Sequence, residues 1–187
     1  MFSYNVSSEI QLKLLQPVYA EEIYEVTNHN RDHLREWLPW VDNMKSADDT
    51  KQFIESELRK FSNNNGFNCG MYYNDKFAGC IGFHELDWRN RKTSIGYWLA
   101  AEYQGLGVVT SACREMITYA FAEYGLNRIE IRAGEYNTKS RAVPERLGFT
   151  YEGSIRQAEW LHDRCIDHAV YGLLASEWKP ASHAIVL

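Results

Sequence analysis

With 187 residues, 45% of them apolar and 14% aromatic, the chain holds enough nonpolar material for one sizeable core in a single domain spanning residues 1–187. A net charge of −5 without any run of Lys or Arg excludes a general binder of nucleic acid. No apolar segment approaches the roughly 20 residues of a membrane span, and MFSYNVSSEI lacks the basic and apolar blocks of a signal peptide, so no membrane partner is expected and a cytosolic location is.

No repeat, low-complexity tract or linker divides the chain. Ile10 to Gln16 (IQLKLLQ) alternates as a first strand, and Pro17 stands where a helix can begin. PVYAEEIYEVTNHN and NRDHLREWLPW read as two short helices broken near Pro39. DDTKQFIESELRKFSNNN reads as a firmer helix, capped by Asp48 or Asp49, with Phe53, Ile54, Leu58 and Phe61 at helical spacing. Two strands follow, GFNCGMYY and KFAGCIGFHEL, joined by Asn74-Asp75, residue types that tolerate the positive φ of a tight hairpin. Thr93 to Ala100 is a further strand. From Val108 to Tyr124 apolar residues recur every three or four positions, a helix that Gly125 should end. RIEIRA alternates as a strand, NTKSRAVPERLGF is a short helix that Pro144 should kink or shorten, and strands near Thr150 to Arg156 and Cys165 to Leu174 close an α/β order with a mixed sheet.

Cys69, Cys80, Cys113 and Cys165 show no CxxC spacing and read as buried free thiols of a reducing compartment. His29 and His33 stand four apart on one predicted helix, and HDRCIDH offers His162, Cys165 and His168. Neither set supplies a third or fourth ligand at a familiar spacing, so no metal is expected.

A strand, a glycine-bearing turn and a helix amino terminus together make an anion site: first-turn amides lack intrahelical partners, and glycine lets phosphate oxygens approach the backbone. YQGLGVVTSA, Tyr103 to Ala112, has that order. Alone it reads first as a tight turn, since the sixth place of the GxGxxG pattern holds no glycine and no GxxxxGK[ST] is present.

IGYWL, YQGLGVVTSA and NTKSRAVPERLGF resemble, in order and spacing, the motifs of GNAT-superfamily acetyltransferases, and most closely the RimJ/RimL ribosomal-protein type. The likeness extends from LREWLPW to EGSIRQAEWLHDRCIDHAVYGLL. It implies an α/β fold with a mixed, mostly antiparallel sheet of about seven strands flanked by helices, and a splayed strand pair that holds acetyl-CoA. It further implies transfer of the acetyl group to a primary amine, such as a protein or ribosomal-protein amino terminus. A polyamine, aminoglycoside or metabolite amine, or a non-catalytic acetyl-CoA-binding module, stays open as an alternative. The family's dimers imply a homodimer.

By the same resemblance, the pyrophosphate belongs on Gln104, Gly105, Leu106, Gly107, Val108, Val109 and Thr110, with Val109 departing from the small residue usual there. Backbone amides near Trp98 and Leu99 would face the acetyl carbonyl, Asn137 would contact pantetheine, and Ser140 would give a proton to the coenzyme sulfur. Glu159 falls at the place of the proposed general base, with Glu85 in reserve. Trp37 and Trp40 lie in the acceptor region. Read without the resemblance, Trp98 and Leu99 are ordinary core, Ser140 a local backbone partner, Glu159 a solvated carboxylate that Trp160 and Leu161 could desolvate, and the tryptophans a packed corner. An α-amine with a pKa of about 7.8 is roughly one-seventh neutral at pH 7, against about one lysine in 2,500, a gap of about 3.5 kcal/mol that suits a modest carboxylate base to an α-amine.

Overall fold

Residues 3–179 are described by the computed structural model; Met1 and Phe2, which begin the stretch read for a targeting signal, and residues 180–187 lie outside it. Alternation at the amino end gives β2 (Ile10–Leu14), with Ile10 and Leu12 buried, paired to a short β1 (Ser3–Asn5). Pro17 opens a 3-10 turn over Pro17–Tyr19 rather than an α-helix, and the chain then enters α1 (Ala20–His29) and α2 (Arg31–Arg35). His29 and His33, expected on one helix, are thereby divided between two.

The next helix, α3 (Ala47–Ser62), is capped by Ser46 and not by Asp48 or Asp49. Ser46 Oγ accepts from Asp49 N at 3.2 Å, while the Asp49 carboxylate accepts from the Ser46 hydroxyl at 2.9 Å and from Lys45 N at 3.0 Å. The cap satisfies the Asp49 amide, one of those a helix start leaves orphaned, and the Asp49 carboxylate ties down the Lys45 amide just before it. Those bonds, that of Ser46 first, hold the Asp49 carboxyl below its usual range.

The hairpin of β3 (Asn68–Tyr73) and β4 (Lys76–Phe83) turns on Asn74 and Asp75, with φ of 47° and 62°, the left-handed pair that matches strand twist. After β5 (Lys92–Leu99) comes α4 (Val108–Ala122), whose Ala112, Cys113, Met116, Ile117 and Ala120 are buried as the spacing requires. Its C-cap is Glu123, and Gly125 takes φ 60° two residues further on. The remaining elements are β6 (Arg128–Gly134), α5 (Thr138–Arg146), β7 (Thr150–Leu161) and β8 (Arg164–Leu174).

Among the described residues the strands form one eight-stranded sheet in the order β1-β2-β3-β4-β5-β6-β8-β7. It has a strand more than the seven expected; β1 is exposed at all three residues and so shows no alternation. Every neighbour pairs antiparallel except β5 and β6, which hold a parallel register only from Lys92–Arg128 to Ser94–Glu130 and then part. That parting is the splayed pair implied by the motifs.

On one face α4 packs Met116 and Ile117 into a core with Ile95, Ile129 and Ile131; on the other, α1 and α3 contribute Ile23 and Ile54 to a second cluster with Tyr72 and Phe77. Cys69, Cys80 and Cys113 are buried, and burial pushes the Cys69 thiol up to about 12. Cys165 is exposed instead, since it sits near the tip of the β7–β8 hairpin, opposite Trp160. Among the described residues no helix is long and apolar enough to cross a membrane, and no group of three or more His, Cys, Asp or Glu could hold a metal.

Candidate active site

Gly105 and Gly107 sit at φ 79° and 75°, in the left-handed region, and a Cβ on either would meet nothing within 4 Å. Backbone conformation, not crowding, therefore calls for glycine here, and it leaves open space above the turn. Gly107 caps α4 without a side-chain partner, and the first intrahelical bond runs from Ser111 N to Gly107 O at 3.0 Å. The amides of Val108, Val109 and Thr110 are left without helical partners and carry the positive end of the helix dipole. They border a cavity of about 980 Å³ that opens where β5 and β6 separate.

Every residue predicted to hold the cofactor lines this cavity except Leu106, whose side chain is 47% exposed. Val109 is 8% exposed and packs into the core cluster, so its bulk is accommodated below the turn. Lys139 Nζ donates to Gln104 Oε1 at 2.8 Å, and Gln104 Nε2 lies 2.9 Å from His33 Nε2. One glutamine thus ties the turn to both α2 and α5. Lys139 and Arg146 add cationic side chains to the amide cradle, a donor set suited to a diphosphate.

The strand ladder decides which β5 amides are free. His84 N donates to Ser94 O at 2.9 Å and Ala100 N to Ala78 O at 2.8 Å, with unbroken pairing between them. The backbone of Gly96 and Trp98 is therefore spent on β4, and that of Ile95, Tyr97 and Leu99 faces the gap. Leu99 has the free amide that the motif implies; the Trp98 amide is turned to Cys80. Trp98 serves the cavities by its side chain.

Ser140 lines both this cavity and a second one of about 780 Å³ in front of it. Asn137 Oδ1 caps Ser140 N at 3.1 Å, and Ser140 Oγ lies 3.3 Å from the Tyr97 hydroxyl. The second cavity is walled by Trp37, Trp40 and Trp98. Trp40 and Trp98 rings stand 6.0 Å apart, and the Trp37 indole lies against Gly134, where a Cβ would come within 3.0 Å of it. The bend that carries Trp37 and Trp40 is fastened by Asp42, which accepts from Arg35 Nε at 2.9 Å and lies 3.2 Å from His162 Nδ1. The Arg35 guanidinium, first by its hydrogen bond, holds the Asp42 carboxyl below the usual range.

Glu159 lines the second cavity, 3.3 Å from His168 Nε2. A bulge aims it there: Ile155 pairs with His168 and Glu159 with Ile166, so three intervening residues of β7 oppose the single Asp167. Gln157 takes φ 49° in the bulge, and its amide donates to Asp167 Oδ1 at 2.8 Å. Trp160, expected to desolvate the carboxylate, is 65% exposed, and the Glu159 side chain remains one-third exposed. Glu85 is exposed and lines neither cavity.

The match to known proteins agrees with this geometry. A family model described as an acetyltransferase (GNAT) domain fits residues 10–150. The chain belongs to the GNAT acetyltransferase family. A putative ribosomal N-acetyltransferase, YdaF, of Bacillus subtilis (strain 168) is 42% identical over 96% of this chain and 98% of its own. The ribosomal-protein-serine acetyltransferase of Escherichia coli (strain K12) is 26% identical over 89% and 93%. Among solved structures, the microcin C7 self-immunity acetyltransferase MccE, in complex with acetyl-CoA and AMP, superposes with a TM-score of 0.86 at 32% identity, over 90% of this chain and 94% of that one. The protein is an acetyl-CoA-dependent N-acetyltransferase, and the amide cradle, cationic rim and parted strands fit that cosubstrate.

Several residues of this acetyltransferase's site escaped the sequence reading. His84 and His168 project into the second cavity, Tyr97 meets Ser140, and His33 and Lys139 hold Gln104. Tyr97 and Lys139 lie within recognised motifs, which is the only signal that marks them. The imidazole of His84 is kept below its ordinary pKa by burial and then by the Lys60 ammonium, with Glu57 opposing. The direction of that shift favours the neutral ring over the cation in the cavity that an amine must enter.

Proposed function

We propose that this acetyltransferase acetylates the α-amine of a protein amino terminus, with a ribosomal protein as the substrate class and Glu159 and Ser140 as the proton-handling pair. The carrying observation is that Ser140 stands where the cofactor cavity meets a tryptophan-walled cavity holding Glu159. An amine entering the second cavity would lose its proton to the Glu159 carboxylate, which becomes neutral, and the His168 ring 3.3 Å away would keep that carboxylate oriented. The cradle before α4 and the free Leu99 amide would orient the thioester and its developing oxyanion. Ser140 Oγ would give its proton to the departing sulfur and take one back from solvent. The substrate named for the Escherichia coli and Bacillus subtilis relatives supports the ribosomal class.

A second reading, a small-molecule amine, is favoured by the aromatic wall of Trp37, Trp40 and Trp98, since the related MccE was solved with AMP. Incubating the enzyme with acetyl-CoA, ribosomal proteins and a panel of small amines, with mass spectrometry of the products, separates the two. Acetylation confined to free small amines rejects the first. The cytosolic location and a homodimer belong to the same proposal; the exposed edge strand β7, with Tyr151 and Ile155 uncovered, suits a second copy, and light scattering tests it.

Glu159→Gln should lower kcat by about 10²–10⁴-fold while leaving acetyl-CoA affinity within a factor of about two. Full turnover in that variant would remove Glu159 from the mechanism.

A further inference from the structure

An α-helix closes the carbonyl of residue 140 with the amide of residue 144. In α5 residue 144 is Pro144, which has no amide to give. The carbonyl of Ser140 is thus deprived of its helical partner at a residue that lines both cavities. It does not go unpaired. The hydroxyl of Tyr97, on the parted stretch of β5, donates to Ser140 O at 2.9 Å, across 43 residues of sequence.

Tyr97 has a single hydroxyl proton, and this bond commits it. The same oxygen can accept from Ser140 Oγ, 3.3 Å away. Ser140 is thus held at N by the Asn137 cap and at O by Tyr97, while its longer Oγ contact to the phenol is one the hydroxyl can exchange for the coenzyme sulfur. We propose that Tyr97 is the positioning residue for Ser140, and that Pro144 makes it so by vacating the one carbonyl that the phenol then fills. The proline otherwise stands as a defect in a nine-residue helix; here it exports a hydrogen bond from the helix to the strand against which the thioester must lie.

No proton leaves Tyr97 in this arrangement. Burial pushes its phenol well above the ordinary tyrosine range, so it stays a neutral donor throughout the working pH range. It differs in this from an acid that would itself protonate the sulfur. The inference rests on the role given to Ser140 above, and the experiment separates the two.

The test is a double-substitution cycle read in kcat and in KM for acetyl-CoA. Tyr97→Phe should lower kcat by about tenfold with KM within about twofold, because the bond orients the serine and does not hold the cofactor. In a Pro144→Ala background, where the helix amide is restored to Ser140 O, the same tyrosine substitution should cost less than about twofold. In a Ser140→Ala background it should cost nothing further. Equal losses with and without the proline would show that Tyr97 acts directly and overturn the proposal, as would an unchanged Tyr97→Phe enzyme. If Ser140→Ala alone keeps full turnover, the role of the serine falls; a tyrosine effect that the proline change still abolishes would then tie the phenol to the carbonyl without it. A Tyr97→Phe chain that folds only when Pro144→Ala accompanies it supports the same link, since the restored amide repairs only that carbonyl.

Discussion

His84 illustrates how one side chain can be tuned by what surrounds it. It lies beside Gly96, whose lack of a side chain leaves the imidazole its room, and its pKa is lowered by burial first and by Lys60 and Arg132 after it, against the pull of Glu57. Unfolded, the same ring titrates near about 6.5. The unfolded chain therefore takes up a proton at a pH where the folded ring still declines it. Stability from this group is complete above about pH 6.5 and is lost as pH falls from there towards the folded value, because the unfolded state then binds more protons. Proton NMR of the imidazole should give a midpoint below about 6.5, and His84→Gln should flatten the fall of stability in that window. A midpoint at or above the unfolded value would refute the account.

Among the elements, the β7–β8 hairpin does most to place the chemistry, and it does so by departing from regular pairing. A ladder of unbroken register would fix Glu159 by alternation alone, whereas the bulge after Ile155 adds residues and resets its direction. The reset is held by Asp167, whose carboxylate takes the amide of left-handed Gln157 and whose carbonyl takes Glu135 N at 2.8 Å. Asp167→Ala should therefore lower kcat by about tenfold, by letting Glu159 drift from His168, and cost roughly 1 kcal/mol of stability for the lost bond. Asp167→Asn, which keeps an acceptor, should retain most activity, and acetyl-CoA affinity should stay unchanged in both. Equal damage from Asn and Ala would assign Asp167 a role in charge instead. None of this was legible in sequence, because a bulge in an exposed strand leaves no periodicity: β7 is exposed or half-exposed from Thr150 to Trp160. By contrast the start and the buried face of α4 were legible, since that face repeats at helical spacing and the glycine turn before it is a strictly local feature; only its end, at Glu123 and not Gly125, was not. The cap of α3 was misread because Asp48 and Asp49 are both first-turn acids, and only the three-dimensional box shows that Ser46 begins the helix. Contacts such as that of Gln104 with His33, 71 residues apart, depend on packing that no local pattern encodes.

At the scale of the whole molecule, the sheet consists of two antiparallel blocks, β1 to β5 and β6 with β8 and β7, joined by only a short parallel register at Lys92 to Ser94. Beyond it the blocks are held by α4 in the shared core and by contacts such as Tyr97 with Ser140. The cofactor cavity lies across that seam, with Leu99 and Gln104 on one side and Asn137, Lys139 and Val143 on the other. A ligand that grips both sides adds its binding free energy to the cohesion of the blocks, by about 2.7 kcal/mol at a concentration 100 times its Kd. For a chain of this size each kcal/mol moves Tm by about 2–4 °C, so saturating acetyl-CoA should raise Tm by about 5–11 °C. Coenzyme A should do nearly as much, because the diphosphate arm that meets the amides before α4 is common to both, while pantetheine alone should do far less. Amide hydrogen exchange should slow both at the start of α4 and in α5, on opposite sides of the seam. A shift confined to one block, or pantetheine matching coenzyme A, would mean that the cradle formed by Gly105, Gly107 and the amides that follow them is not what holds the cosubstrate.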